Sequence, residues 1–206
     1  MAANNLDNFK NGERIPLGDV ILTGATGYLG VHILHELIKN HGGKIYCLVR
    51  GKKKISALKR LQIQLFYYFE DDYEDLFGKR IFIIDGDVTN RDALEQCKNL
   101  QVDTVINCAA LVKHFSIGNE IENVNVGGVK NLLEICKAKN LRFIQISTIS
   151  TVRNGIKGEV DENATPDEKT LYFKQSLTNK YVHSKFLAER LILNAVANDG
   201  LNAKIN

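Results

Sequence analysis

The feature that most constrains this chain is a glycine turn set between a short apolar run and a helical one. Asp19-Val20-Ile21-Leu22-Thr23 reads as a strand, and it leads directly into Gly24-Ala25-Thr26-Gly27-Tyr28-Leu29-Gly30. From Tyr28 to Asn40 the apolar residues Leu29, Ile33, Leu34, Leu37 and Ile38 can share one helical face. A lone Gly-x-x-Gly-x-x-Gly is weak. In register between strand and helix it becomes a dinucleotide signal. The early glycines permit a tight turn and close backbone approach to a pyrophosphate, and Gly30 lets the helix pack close to the sheet. The free amides of the helix start meet the phosphate charge. Gly24, Thr26, Gly27, Tyr28, Leu29 and Gly30 are therefore candidate cofactor contacts.

The same alternation repeats downstream. The pattern predicts strands over 44–50, 80–84, 104–108 and 141–147, and helices over 56–69, 92–98, 123–139 and 180–197. The polar, aperiodic stretch 153–178 reads as a long loop, and the acidic run 70–75 as a solvated helix exit. Strands alternating with helices predict a Rossmann-type doubly wound α/β fold, a parallel sheet covered on both faces. Crossovers should be right-handed. Ala203-Lys204-Ile205 reads as the start of a sixth strand.

Composition narrows the partners. Lys plus Arg number 27 and Asp plus Glu 24 among 206 residues, a formal charge of +3. So small an excess argues against a nucleic-acid ligand. No apolar stretch approaches the length of a membrane span, and residues 1–18 show no signal-peptide core. Cys47, Cys97, Cys108 and Cys136 are isolated, without CxxC or metal-ligand spacing. They read as reduced, mostly buried thiols of a cytoplasmic protein. His32 and His35 lie three apart with no third ligand in the pattern, and read as helix surface with no metal site.

The exit of the second strand selects the cofactor. An NAD site usually places an acid there for the ribose hydroxyls. Here the sequence is Val49-Arg50-Gly51-Lys52-Lys53-Lys54, without an acid. A guanidinium can hold a 2′-phosphate bidentately, so Arg50, supported by Lys52 or Arg60, points to NADP(H). Asp87-Val88 after strand three can cap the adenine end, the carboxylate accepting from the exocyclic amine. Asn107-Cys108-Ala109-Ala110 ends strand four with small residues that leave room for ribose and nicotinamide. Lys113-His114-Phe115 follows, on a candidate path for substrate. Asn125, if buried, could fix the backbone or a water behind Lys185.

Ser147-Thr148 ends strand five, and Tyr181-x-x-x-Lys185 opens the last helix. Spacing of four puts both side chains on one face. A phenol is a poor acid or base at neutral pH, and a nearby ammonium should lower its pKa. Thr148 can hydrogen-bond the same reacting oxygen, and Lys185 can also reach the nicotinamide ribose. Thr148, Tyr181 and Lys185 form the candidate catalytic set.

These stretches together resemble the extended short-chain dehydrogenase/reductase family. Cys47-Leu-Val-Arg50, Val105-Ile-Asn-Cys-Ala-Ala110, Asn125-Val-Gly-Gly-Val-Lys-Asn-Leu132 and Ile146-Ser-Thr-Ile149 resemble, more finely, the thioester reductase domains of nonribosomal peptide synthetases. Carboxylic acid and aminoadipate reductases are relatives of these. The resemblance covers about residues 18 to 206. It implies NADPH held by the glycine turn, Arg50, Asp87 and Lys185, with Arg60, Val88, Asn107, Ala109, Lys113, Asn125 and Tyr181 as further candidate contacts. It implies catalysis by Thr148, Tyr181 and Lys185. The implied partner is a phosphopantetheinylated carrier domain bearing an acyl or peptidyl thioester, released as aldehyde or carried on to alcohol. Family members continue with a smaller substrate-binding part. Residues 1–17 are then expected to be a linker or tail from an upstream domain, and 18–206 an NADP-binding domain incomplete at its C-terminus. A monomeric domain is the expected state. Two alternatives stand beside this reading: a reductase, epimerase or dehydratase acting on a nucleotide-sugar or small carbonyl, and a non-catalytic NADP-binding domain.

Overall fold

The computed structural model describes residues 16–112, 118–153 and 176–206. Its centre is a six-stranded sheet in the order β3-β2-β1-β4-β5-β6. The strands are β1 (Val20–Thr23), β2 (Ile45–Val49), β3 (Ile81–Asp85), β4 (Thr104–Asn107), β5 (Arg142–Gln145) and β6 (Ala203–Ile205), and every pairing is parallel. The central strands are nearly continuous apolar runs because helices cover both faces. One face packs α1 (Tyr28–Asn40) and α2 (Ala57–Phe69) through Val31, Leu34, Leu61 and Leu65 against Val20, Leu22 and Ile45. The other packs α3 (Arg91–Asn99), α5 (Gly128–Lys139) and α7 (Lys180–Asp199) through Leu94, Leu132 and Ile192 against Ile21, Val105 and Phe143. Fully buried side chains such as Leu22, Leu34 and Phe143 each contribute about 1.5–3 kcal/mol by leaving water.

Local chemistry sets the element ends. Ser56 caps α2 by accepting from the Lys59 amide at 3.2 Å, and Asn90 caps α3 through the Ala93 amide at 2.8 Å. Asn179 caps α7 with bonds from the Tyr181 and Val182 amides, and Gly200 ends it in a left-handed conformation. The Arg80 guanidinium donates to the Leu37 and Ile38 carbonyls at 2.7 and 2.8 Å, a cation placed on the carbonyl end of α1.

Three expectations need correction. The helix expected over 123–139 is regular only from Gly128. Before it come a short turn, α4 (Glu120–Glu122), and a widened π-type segment, Asn123–Gly127. Such widened turns gather at functional sites, and this one carries the buried Asn125. Second, a short helix α6 (Ser150–Arg153) follows β5, where only a strand exit leading into a loop was expected. Residues 154–175 of that loop lie outside the described residues. Third, His35 is buried, not surface: its ring stacks on Phe69 at 3.7 Å and its Nδ1 shares a 2.8 Å hydrogen bond with the Tyr73 hydroxyl.

Candidate active site

Strand order reverses between β1 and β4, so the helices after those strands leave on opposite faces and a crevice opens at the carboxyl ends. The cleft there measures about 260 Å³ and is lined on one side by Gly24, Thr26 and Gly27, on the other by Ala109, Ala110 and Leu111. Gly24 has φ +71°, and a Cβ on it would lie 2.6 Å from the Ala109 amide nitrogen. A Cβ on Gly30 would lie 2.1 Å from the Gly24 carbonyl oxygen. The turn therefore requires hydrogen at both positions. Helix α1 begins at Gly27 without a side-chain cap and with no acid in its first turn, leaving donors and a positive helix end for an anion. Tyr28 and Leu29 stand exposed at that helix start.

The far end of the cleft is cationic. Arg50 and Arg60 both line it, and the Arg60 guanidinium donates to the Arg50 carbonyl at 2.9 Å. Burial lowers the Arg60 pKa, and the neighbouring charge of Arg50 lowers it further. Asp87 faces them: Arg50 Nη1 lies 3.1 Å from its Oδ2, while Thr89 donates to its Oδ1 from backbone and hydroxyl at 2.8 and 2.6 Å. Partial burial pushes the Asp87 carboxyl up, but these bonds and the Arg50 charge outweigh it and hold it below its ordinary value. Val88 completes this wall.

Beneath the cleft runs a row of polar side chains in lateral register across three strands. Thr23 pairs with Asn107, and Asn107 with Gln145. The Thr23 hydroxyl donates to Asn107 Oδ1, Asn107 Nδ2 donates to Gln145 Oε1 at 2.9 Å, and Gln145 Nε2 donates to the Ile146 carbonyl at 2.7 Å. All three side chains are buried. The row fixes the strand ends, since the Ala109 amide donates to Thr23 and Asn107 at 3.2 Å. Asn107, expected as a cofactor contact, is placed under the cleft and not in its lining.

The row ends at the candidate catalytic lysine. Lys185 Nζ donates to the same Ile146 carbonyl at 2.9 Å and is almost fully buried. Burial lowers its pKa to about 8, opposed by the Glu189 carboxylate and by Cys108. Tyr181, half-buried one turn earlier, has its phenol pushed up by burial. This departs from the expected lowering by Lys185. The ammonium is drawn to the Ile146 carbonyl, so desolvation decides the phenol's titration.

Of the two hydroxyls at the exit of β5, Ser147 donates to Glu189 Oε1. Thr148 opens α6: its hydroxyl accepts from the Ser150 amide at 3.4 Å and its carbonyl from Thr151. Thr148 thus keeps a donor for a reacting oxygen. Asn125 clamps the exit of β4 to α7: its Oδ1 accepts from the Leu111 amide at 2.7 Å and its Nδ2 donates to Ser184 Oγ at 2.9 Å. It is buried, bonded to the residue next to Lys185 in sequence, and lies outside the cleft lining. Lys113, and with it His114 and Phe115, lies outside the described residues.

Sequence reasoning missed Glu189. Its signal was present, since position 189 continues the 181, 185 series along one helix face and carries an acid. Among the described residues no group of His, Cys, Asp and Glu is arranged to hold a metal ion, and no helix is long and apolar enough to cross a membrane. Burial pushes Cys47, Cys108 and Cys136 up to about 12 and Cys97 to about 11.

Known proteins carry the same architecture. Residues 22–206 match the NAD-binding family described as "Male sterility protein", and the chain belongs to it. It is thus a Rossmann-type domain of the NAD(P)-dependent oxidoreductases, related to thioester and carboxylate reductase domains. A thiolation-reductase di-domain from an archaeal non-ribosomal peptide synthetase superposes with a TM-score of 0.85 at 48% identity, over 97% of this chain and 42% of that one. The probable polyketide synthase 45 of Dictyostelium discoideum is 32% identical over 88% of this chain and 6% of its own length. UDP-glucuronic acid 4-epimerase from Bacillus cereus, solved in complex with NAD, superposes with a TM-score of 0.65 at 26% identity, over 91% of this chain and 55% of that one. The chain therefore spans a small part of the curated relative and less than half of the di-domain.

Proposed function

We propose that this chain is the cofactor-binding part, residues 18–206, of an NADPH-dependent reductase. Its substrate would be an acyl or peptidyl thioester on the phosphopantetheine arm of a carrier domain, and its product the aldehyde, which a second reduction would convert to alcohol. The observation that carries the cofactor reading is the pair of guanidinium groups at the exit of β2, with Asp87 the acid facing them. Two crowded cations facing a cleft suit a dianionic 2′-phosphate better than neutral ribose hydroxyls. The glycine cradle and uncapped α1 fit a pyrophosphate.

When bound, NADPH supplies the hydride that reduces the thioester carbonyl. The chain's own residues manage the charge that develops on the carbonyl oxygen. Thr148 donates a hydrogen bond to that oxygen, and preorganised donors of this kind lower the barrier without reorganisation. Tyr181, protonated at neutral pH because burial raises its phenol, delivers the proton. Lys185 holds positive charge one helical turn from Tyr181 and, in the bound complex, would set it beside the developing oxyanion. The resulting hemithioacetal breaks its C–S bond, and the thiol leaves with the proton.

The carrier partner is supported by the likeness to the thiolation-reductase di-domain. A nucleotide-sugar epimerase reading is favoured by the likeness to an NAD-bound epimerase. The absence of an acid at the exit of β2 weighs against it. The test is direct: the full-length protein is supplied with NADPH and either a carrier-bound acyl thioester or a nucleotide-sugar. Aldehyde formed with consumption of NADPH is expected from the first. Turnover of the sugar nucleotide alone would replace the proposal.

A further inference from the structure

Glu189 is a buried carboxylate for which the chemistry above has no use. It lies one helical turn beyond Lys185, on the face of α7 that packs against the exit of β5, and only 5% of it is exposed. Ser147 donates to its Oε1, and Thr151 of α6 adds a second hydrogen bond. Burying an ionised carboxylate is costly unless hydrogen bonds and a cation compensate it, and otherwise the group takes up a proton. Here the bonds come from the β5 exit and α6, and the cation from Lys185.

We infer that Glu189 is a positioning residue, the counter-charge that keeps Lys185 an ammonium while tying the Ser147–Thr148 turn to the helix carrying Tyr181. It rests on the reading of Tyr181 and Lys185 as the proton-delivering pair. The titratable groups that act on Lys185 are Glu189 from its own helix and Cys108 from the end of β4; Tyr181 lies one turn earlier on that helix, and the Ile146 carbonyl accepts from the Lys185 ammonium. Burial pushes the Cys108 thiol up to about 12 and raises the Tyr181 phenol, so both are neutral near pH 7. Burial raises the Glu189 pKa as well, opposed by the hydrogen bonds from Ser147 and Thr151 and by the charge of Lys185; held ionised by those bonds, Glu189 would be the anion opposing the desolvation of Lys185. The groups facing Glu189 are Ser147, Thr151 and Lys185. Ser147 is thereby explained as well: its hydroxyl serves the carboxylate, which leaves Thr148 to face substrate.

The experiment titrates Lys185 itself by nitrogen NMR of the lysine Nζ groups in the full chain, alongside pH profiles of kcat/KM. Glu189→Gln keeps the side-chain shape and an acceptor for Ser147 but removes the charge. It is expected to lower the Lys185 midpoint by roughly one pH unit and to move the alkaline limb of kcat/KM down with it. Glu189→Asp, which restores the charge, should recover most of that shift, and Ser147→Ala should leave the midpoint near wild type. A folded Glu189→Gln protein with an unmoved midpoint overturns the inference, as does an equal fall in Ser147→Ala. Carbon NMR of the wild-type Glu189 carboxyl needs no substitution: ionised at pH 7 it supports the inference, protonated there it overturns it. If wild type reduces no thioester, the functional reading fails while the NMR titration still decides the role of Glu189.

Discussion

The two ends of the cleft are built from opposite materials. At the exit of β2 the cations are long, solvated and loosely held: Arg50 is 63% exposed and its contact with Asp87 is a surface ion pair. Under the reaction end, Thr23, Asn107, Gln145, Lys185 and Glu189 are all buried; the first four are hydrogen-bonded to one another or to the Ile146 carbonyl, and Glu189 accepts from the Ser147 hydroxyl. An exposed pair is worth little and is easily exchanged for a ligand phosphate. A buried network is rigid and sensitive to any unpaired member. On the proposed function, cofactor choice therefore rests on groups that can be altered without harm to the fold, and proton delivery on groups that cannot.

Substitutions can break or sharpen that contrast. The largest effect is expected at the buried end. Tyr181→Phe should lower kcat about 10²–10⁴-fold, with NADPH affinity unchanged, measured by steady-state kinetics and by fluorescence titration. Equal turnover would remove Tyr181 from the chemistry. At the exposed end, Arg50→Ala should weaken NADPH binding about 10- to 100-fold and leave NADH binding and thermal stability unaltered. A comparable loss for NADH would mean that Arg50 supports the fold and not the phosphate.

The pH dependence separates the two ends as well. Burial holds Lys185 at about 8 against an ordinary 10.5, so its ammonium is lost as pH rises through 8. On the proposed mechanism reduction needs that charge and a proton, so kcat/KM should fall about tenfold per unit above pH 8, with the sign opposite to that of a base-catalysed oxidation. NADPH affinity should stay level over that interval if the cationic end binds independently. The smallest effect is expected for Asp87→Asn. Removing a partly solvated carboxylate should change unfolding free energy by less than about 1 kcal/mol. A large loss of stability would show the exposed end to be as structural as the buried one.

Much of this was legible in the residues, and the boundary of legibility is physical. The bounds of α1 follow from apolar spacing between Gly27 and His41, and the sheet from apolar runs that only a doubly covered strand tolerates. Gly24 and Gly30 announce the turn because no other residue fits there. What stayed hidden depends on side chains from distant segments. Asn125 reads as a residue that, if buried, could fix the backbone, and only its bonds to Leu111 and Ser184 reveal which segments it clamps. The lowering expected for the Tyr181 phenol assumed that spacing of four makes two groups face each other. Lys185 instead turns to the Ile146 carbonyl, a partner 39 residues away in sequence.

The most direct test of the central claim is a pair of equilibrium titrations of the wild-type protein, with NADPH and with NADH under the same conditions. The guanidinium pair at the exit of β2 predicts NADPH binding at least about tenfold tighter. Equal affinities, or a preference for NADH, would contradict it.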